Sequence, residues 1–558
     1  MPAISCMYRC RTWTLRRAVC AAAAASHLAI IPAAMGGTTE VVTLDANTGL
    51  AAGCSELSFG GSPGRSVSAG GRYIAFVSQC GNLGPVDGNG RNDVYVRDRS
   101  NRVTQRISVG AAGKWSNGNS GRPTMTPDGR FVAFDSDAST LVAGDTNGRS
   151  DVFVRDRLTG HTERVSISTN GTQGDDSSFN PSISADGRYV AFDSRATTLA
   201  PGATTRVQKI FVRDRLGGTT RWVSVPVPGA QLSLGDDSDR PSISGDARYI
   251  AFESFSNDLV PNDTNSRSDI FVRDLLTQTT ERVTTGTQGE ANGASYVPSI
   301  SADGRYVAFE SDATNLVGKS AGYSNAIVHD RQTGGNELIS IGIGGVHPDS
   351  GSFNPVITAD GRYVAFYSFA ANLVPGDTNG QMDVFLRDRQ QGVTERISVS
   401  STGQQASGPS GENVAIGANG RFVAFDSWST DLVPNDKNDS GDVYLRDLGT
   451  TYSFTVQPNS VSFGDRVVSS SSTKGFSLHN TSSTPLPVLS VDLRGTDKVM
   501  FSLAHTCGTS VPAGGTCLID VTFHPTAVGD FEAQVRVVAG ESTVRTRTIT
   551  GSGVVATP

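Results

Sequence analysis

Ser184-Ala185-Asp186-Gly187-Arg188-Tyr189-Val190-Ala191-Phe192 is the stretch that decides the fold. It opens as a tight turn, because Asp hydrogen-bonds its own backbone and Gly accepts a left-handed conformation. It continues as a short apolar run rich in β-branched and aromatic residues, the mark of a strand. The run recurs, with its Phe at Phe76, Phe134, Phe192, Phe252, Phe309, Phe366 and Phe425, spaced by 58, 58, 60, 57, 57 and 59 residues. A second element follows each copy. It is clearest as Asp151-Val152-Phe153-Val154-Arg155-Asp156-Arg157 and returns around Asp98, Asp214, Asp274, Asp330, Asp388 and Asp447. The third copy holds four strand-like runs: Pro181–Ser184, Arg188–Asp193, Lys209–Arg213 and Thr219–Val225. Four strands per unit at this period predict the blades of a propeller.

The fourth strand reads Thr162-Glu163-Arg164-Val165-Ser166-Ile167 in the second unit, but Thr450–Phe454 matches it poorly after the last one. A good match stands at the other end of the chain, at Thr39-Glu40-Val41-Val42-Thr43-Leu44. The sequence therefore predicts an all-β, seven-bladed β-propeller closed by an N-terminal strand, which removes the exposed sheet edges. The repeat resembles the S-P-D-G-x-x-I-A-F core of the TolB-like, or PD40, propeller family over roughly residues 39–448. It departs in having Ala before Asp in most copies. That group spans binding scaffolds, propellers of prolyl-oligopeptidase-like proteases and sugar-acting enzymes, so the resemblance implies fold rather than function.

Residues 1–36 read as an export signal: Arg9, Arg11, Arg16 and Arg17, an apolar run from Ala18 to Ile31, and the small-x-small site Ala34-Met35-Gly36. The run is short for a membrane span. The expected mature chain is secreted or periplasmic, carries no transmembrane anchor, and divides into a propeller at 37–450 and a second domain at 451–558. That domain shows alternating runs at Gly475–His479, Leu486–Leu493, Cys517–Phe523, Phe531–Val538 and Thr543–Thr550, which predict an Ig-like β-sandwich. Its Asn480-Thr481-Ser482, Pro512-Ala513-Gly514-Gly515-Thr516-Cys517 and Val521-Thr522-Phe523-His524-Pro525-Thr526 resemble the choice-of-anchor D domains of the ASH/Hydin group. The resemblance implies a spacer or adhesion module. In an exported chain, Cys54 with Cys80 and Cys507 with Cys517 read as two disulfides; four buried thiols are the alternative.

The net charge of −7 becomes −11 once the four leader arginines are set aside, which argues against nucleic acid as a partner. The sharpest local motif is Asp-x-Asn-x-x-x-Asp, at Asp87/Asn89/Asp93, Asp145/Asn147/Asp151, Asp263/Asn265/Asp269, Asp377/Asn379/Asp383 and Asp436/Asn438/Asp442. Blade 3 has Ala203 and Lys209 at the acid positions, and blade 5 has Lys319 and Asn325, so both acids vanish together. The first reading is a structural turn in which Asp and Asn cap their own backbone. The second is a calcium loop, about two residues shorter than the calcium repeats it resembles. The Asp ending each third strand and the Arg of each Gly-Arg-Tyr run occur in every blade, which suits an Asp-capped hairpin with Arg–Asp pairing. Gly60-Gly61-Ser62-Pro63-Gly64 lacks the strand-to-helix context of a nucleophile elbow, and His161, His329 and His347 occupy unlike positions. The expectation is a monomeric, non-catalytic, exported binding or scaffold protein whose loop-rich, acidic face takes a protein or cell-envelope polymer. The alternatives are an extracellular propeller enzyme (lyase or glycosidase) acting on polysaccharide, marked by unlike acids and aromatics at one end of the channel, and a calcium-stabilised adhesion protein.

Overall fold

Seven four-stranded antiparallel sheets form the propeller, each running from an inner strand at the channel to an outer one. Blade 2 is Ser120–Met125, Phe131–Ser136, Asp151–Asp156 and His161–Arg164. Blade 7 is Ser410–Ile416, Phe422–Ser427, Asp442–Asp447 and, as its outer strand, Thr38–Val41. Thr38 pairs with Asp447 and Val41 with Tyr444, so the N-terminal strand closes the ring as the sequence predicted. The computed structural model describes residues 37–46, 48–51, 57–58, 66–84, 89–230, 232, 234–286, 289–318, 322–434, 436, 438, 440–449, 454–482, 485–540 and 543–556. The leader and Cys54 lie outside them; Cys80 is disulfide-bonded.

The repeat's signature residues build the joints between blades. Gly129 has φ 73°, and a Cβ there would sit 2.3 Å from the Tyr73 ring of the preceding blade. Arg157 covers the same ring at 4.3 Å, and its Nη1 donates to the Gly129 carbonyl at 2.6 Å. The joint recurs as Gly187/Phe131/Arg215, Gly304/Tyr249/Arg331 and Gly361/Tyr306/Arg389. It also seals the ring, where Gly71 and Arg99 of blade 1 pack on Phe422 of blade 7. In all seven blades the other arginine of the motif pairs with the terminal Asp of the third strand. Arg130 meets Asp156 through Nε at 3.1 Å and Nη2 at 2.8 Å, and Asp156 also accepts the Leu158 amide at 2.9 Å. Inside each blade the apolar side chains are buried, and Phe134 stacks on Phe153 with centroids 5.8 Å apart.

The residue before the turn Asp or Asn, mostly alanine, links neighbouring blades. Ala185 N–H donates to the Gly245 carbonyl at 3.1 Å, Gly245 to Ala302 at 2.9 Å and Ala302 to Ala359 at 2.9 Å, one blade to the next around the channel. Pro127 has no N–H and serves only as acceptor, from Ala69 at 2.8 Å. Val67, Met125, Ile300, Ile357 and Ile416 narrow this end of the channel to an apolar cavity of about 90 Å³.

The inner strands begin earlier than the sequence suggested. In blade 3 the strand spans Ser178–Ile183, with its ladder interrupted between Phe179 and Ser182. The interruption falls at Asn180-Pro181, where proline has no N–H to lend a ladder. The C-terminal domain is a sandwich of a four-stranded and a five-stranded sheet, from Phe454–Gln457 to Thr543–Val554. Phe463, Phe501 and Phe523 cluster in its core, and Cys507 is bonded to Cys517.

Deleting residues 37–44 is expected to lower the unfolding midpoint by several degrees and to open Asp442–Asp447 to protease. Calorimetry and limited proteolysis measure both.

Candidate functional site

The Asp-Asn-Asp loops share one geometry. Asn147 Nδ2 donates to Asp151 at 2.9 Å and to the Gly174 carbonyl at 3.0 Å, while its Oδ1 accepts the Arg149 amide at 3.0 Å. The cation beside the two buried acids belongs to the chain: Arg164 Nη1 lies 3.0 Å from Asp145 and 3.1 Å from Asp151. In blade 4, Arg282 lies 2.8 Å from Asp263 and 3.8 Å from Asp269, which also accepts from Asn265 at 2.7 Å. In blade 6, Arg396 lies 3.1 Å from Asp377 and 3.6 Å from Asp383, with Asn379 on Asp383 at 2.8 Å. In blade 1, Arg106 is 4.0 Å from Asp93, and Asn89 donates to Asp93 at 3.2 Å; Asp87 lies outside the described residues.

The outer strand supplies these arginines at one register position, opposite Phe153 in blade 2 and Phe271 in blade 4. That position is Trp222 in blade 3 and Leu338 in blade 5, the two blades that lost the acids. Lys209 is buried there instead and donates to the Val207 carbonyl at 2.9 Å. Blade 7 keeps the acids but has Val41 at the arginine position. There the Tyr444 hydroxyl donates to Asp436, the Thr43 hydroxyl to Asp442, and Asn438 Nδ2 to Asp442 at 2.8 Å. The arginine was legible in the sequence as the third member of the group that disappears with the acids.

A second set of acids stands on the second strands toward the long loops, most of them buried behind the inner strands, and the sequence reading did not single it out. Asp135, Asp193, Glu253, Glu310 and Asp426 follow the Phe of the repeat, a position that is polar in most copies. Each faces the bulge of an inner strand. The bulge residues Arg122, Asn180, Arg240, Val297 and Asn354 all precede proline and have φ of 48°, 50°, 51°, 54° and 48°. The acids hold inner-strand amides at or near the ladder interruptions. Glu253 accepts the Val297 N–H at 2.6 Å, Glu310 the Asn354 N–H at 2.8 Å and Asp426 the Asn413 N–H at 3.0 Å. Side chains join in, as Arg122 Nη1 meets Asp135 at 2.7 Å and Asn180 Nδ2 meets Asp193 at 2.7 Å. Burial pushes Asp193 up to about 7, helped by Asp239, and raises Glu253 to about 7 and Asp426 to about 6. Aromatic residues share this end: Phe179, Tyr296, Phe353 and Tyr367 on the strands, and the exposed Phe255, Phe369 and Trp428 just after the second strands. His329 is engaged with Asn336 at 2.8 Å, and Gly60–Gly64 lies outside the described residues.

Residues 448–544 match the family model described as abnormal spindle-like microcephaly-associated, ASPM-SPD-2-Hydin, or ASH. Among solved structures, the chain is similar to a protein described as TolB from Agrobacterium tumefaciens, at 17% identity and a TM-score of 0.35, over 64% of this chain and 98% of that one. It is similar to a prolyl endopeptidase at 12% identity and a TM-score of 0.42, over 77% of this chain and 55% of that one. The PapD-like domain 7 of human CEP192, an ASH domain, aligns at 17% identity and a TM-score of 0.15, over 19% of this chain and 87% of that one. No curated protein matches the chain.

Arg164→Leu leaves Asp145 and Asp151 buried without their cation and is expected to cost about 3–5 kcal/mol in chemical denaturation. Carrying over the blade 3 set, with Asp145→Ala, Asp151→Lys and Arg164→Trp together, should recover most of it. The acids also set a pH dependence. Asp193 and Glu253 hold protons more tightly when folded, so their contribution to stability declines as pH rises from about 4 to about 7. Asp214 and Asp330, held at about 2 chiefly by hydrogen bonds from Arg188 and Arg305, contribute in the opposite sense, present above about 4 and lost toward 2. Asp193→Asn with Glu253→Gln should therefore raise the melting midpoint more at pH 8 than at pH 4.

Proposed function

We propose that this is an exported, non-catalytic binding scaffold. Its loop-rich propeller face engages a protein or cell-envelope polymer, and its ASH-like sandwich serves as a spacer or adhesion module. The observation that carries this reading is the use made of the second-strand acids. Each is buried or half-buried and committed to an amide or side chain of an inner strand, so the acids brace those strands rather than attend a nucleophile. The exposed aromatics Phe255, Phe369 and Trp428 at the same end of the blades are of the kind that anchors partners.

The polysaccharide-enzyme reading draws on Asp193 and Glu253, whose raised values of about 7 are those of a general acid. Their hydrogen-bonding favours the scaffold over it. For the five Asp-Asn-Asp loops, the structural turn is preferred to the calcium loop. In blades 2, 4 and 6 an arginine of the outer strand stands beside both acids, as Arg164 does within 3.1 Å of Asp145 and Asp151, where a hard cation would have to bind, and in blade 7 the Tyr444 and Thr43 hydroxyls serve the acids.

Purified mature protein is expected to co-sediment saturably with isolated cell-envelope material while releasing neither sugar nor peptide. Phe255→Ala with Trp428→Ala should weaken that binding without lowering the melting midpoint. Turnover that vanishes with a single second-strand acid substitution would overturn the reading. Melting midpoints in calcium and in chelator should coincide.

A further inference from the structure

The propeller repeats one small constellation at the inner strands, and in one place it lacks a member. In blade 2 the bulge residue is Arg122. Its guanidinium pairs with Asp135 of the same blade at 2.7 Å and lies 5.3 Å from the ring of Phe179, the residue at the corresponding edge of blade 3. A planar cation thus sits between a carboxylate and an aromatic face, two groups that favour guanidinium over neutral polar groups. Blade 4 repeats the set with Arg240 at 3.7 Å from Glu253, and blade 5 presents Tyr296 at the ring position. Blade 5 supplies the acid, Glu310, and blade 6 the ring, Phe353. The bulge residue between them is Val297, which has no charge to offer.

The surroundings of this third place are richer than those of the first. Phe353 stacks on Tyr367 with centroids 5.4 Å apart and meets the exposed Phe369 edge-on at 6.2 Å. Burial, together with the charges of Glu310, Glu412 and Asp426, pushes Tyr367 up to about 12. Burial raises Glu310 as well, against the Asn354 amide and the charge of Arg240 from the preceding blade, so acids and aromatic rings share this edge. Glu310 gives one oxygen to the Asn354 amide at 2.8 Å, the bond that also fixes the bulge.

We propose that the edge between blades 5 and 6, where Glu310 holds the amide next to Phe353 and the exposed Phe369 meets that ring, receives the arginine side chain of a peptide ligand beside Val297. The external guanidinium takes the position that Arg122 takes within the chain. This rests on the reading of the loop-rich face as a binding face and gives that face its ligand chemistry.

The test uses the full mature chain and acetyl-Gly-Arg-Gly-amide, with the citrulline peptide as its neutral isostere, in isothermal titration calorimetry. Arginine peptide should bind at least about tenfold more tightly than citrulline peptide. Val297→Arg should abolish that preference by supplying the guanidinium from within the chain. It is expected to fold, because Arg122 and Arg240 hold the same backbone conformation at φ 48° and 51°. Val297→Asn, the residue type of blades 3 and 6, should keep the preference. Glu310→Gln, which retains an acceptor for the Asn354 amide, should lose it. Equal binding of both peptides, binding to neither, or unchanged binding by Val297→Arg would overturn the inference. If any of these accompanies envelope binding that still depends on Phe255 and Trp428, the reading of the face stands and only its arginine specificity falls.

Discussion

The packing of an aromatic ring against a side-chain-free backbone, under an arginine, is the contact on which the propeller depends. Tyr73 can lie on Gly129 only because no Cβ intervenes, and Arg157 then ties the ring to the Gly129 carbonyl. The turn that needs glycine for its left-handed φ is also the surface on which the previous blade rests, so local and long-range demands fall on one residue. The joint tolerates exchange when its members change together. Blade 4 has Ala247 at the glycine position and Leu275 at the arginine position, against Tyr189. Apolar contact replaces the cation there, and φ stays positive at 61°.

The loops behind the third strands apply the same economy to charge. Taking two carboxylates out of water is unfavourable unless a cation and hydrogen bonds come with them. Arg164, Asn147 and Ser166 supply these to Asp145 and Asp151 from three parts of one blade. The loop, the third strand and the outer strand are thereby fastened at one point. In blade 7 the outer strand arrives from the far end of the chain without the arginine. Hydroxyls from Tyr444 and Thr43 satisfy the acids instead, and burial leaves Asp442 raised to about 6.

Much of this was legible in the sequence because a repeat states its structure seven times. The period exposed the blades, and the one absent outer strand pointed to Thr39–Leu44. The Gly-Arg-Tyr and Asp-Arg motifs marked the joints without revealing that the ring of one blade meets the glycine of the next, since that contact spans more than fifty residues. The Asp-Asn-Asp spacing admitted two readings because a turn that caps itself and a loop that holds a cation use the same oxygen atoms. The placement of Arg164 beside both acids was not legible from that spacing. The second-strand acids escaped notice for a different reason. Asp135 and Glu310 stand in strands whose neighbours are apolar, and their partners are amides at bulges that follow no period of two. The bulge residues themselves are marked by the proline after them, a signal that reads as a strand boundary until the strand is seen to continue through it.

The outer strand of blade 7 gives the molecule an order in time. Residue 38 pairs with residue 447, so the first strand made is the last to find its place. Six blades can form from neighbouring segments as they emerge, but the seventh waits for both ends. Joining them adds little entropic cost beyond that of a much shorter loop, since the penalty grows only with the logarithm of length. The delay is therefore one of sequence in synthesis rather than of energy. Until the ends meet, the chain is an open arc with two unpaired edges, and a partner that binds the complete ring recognises only molecules that have finished folding.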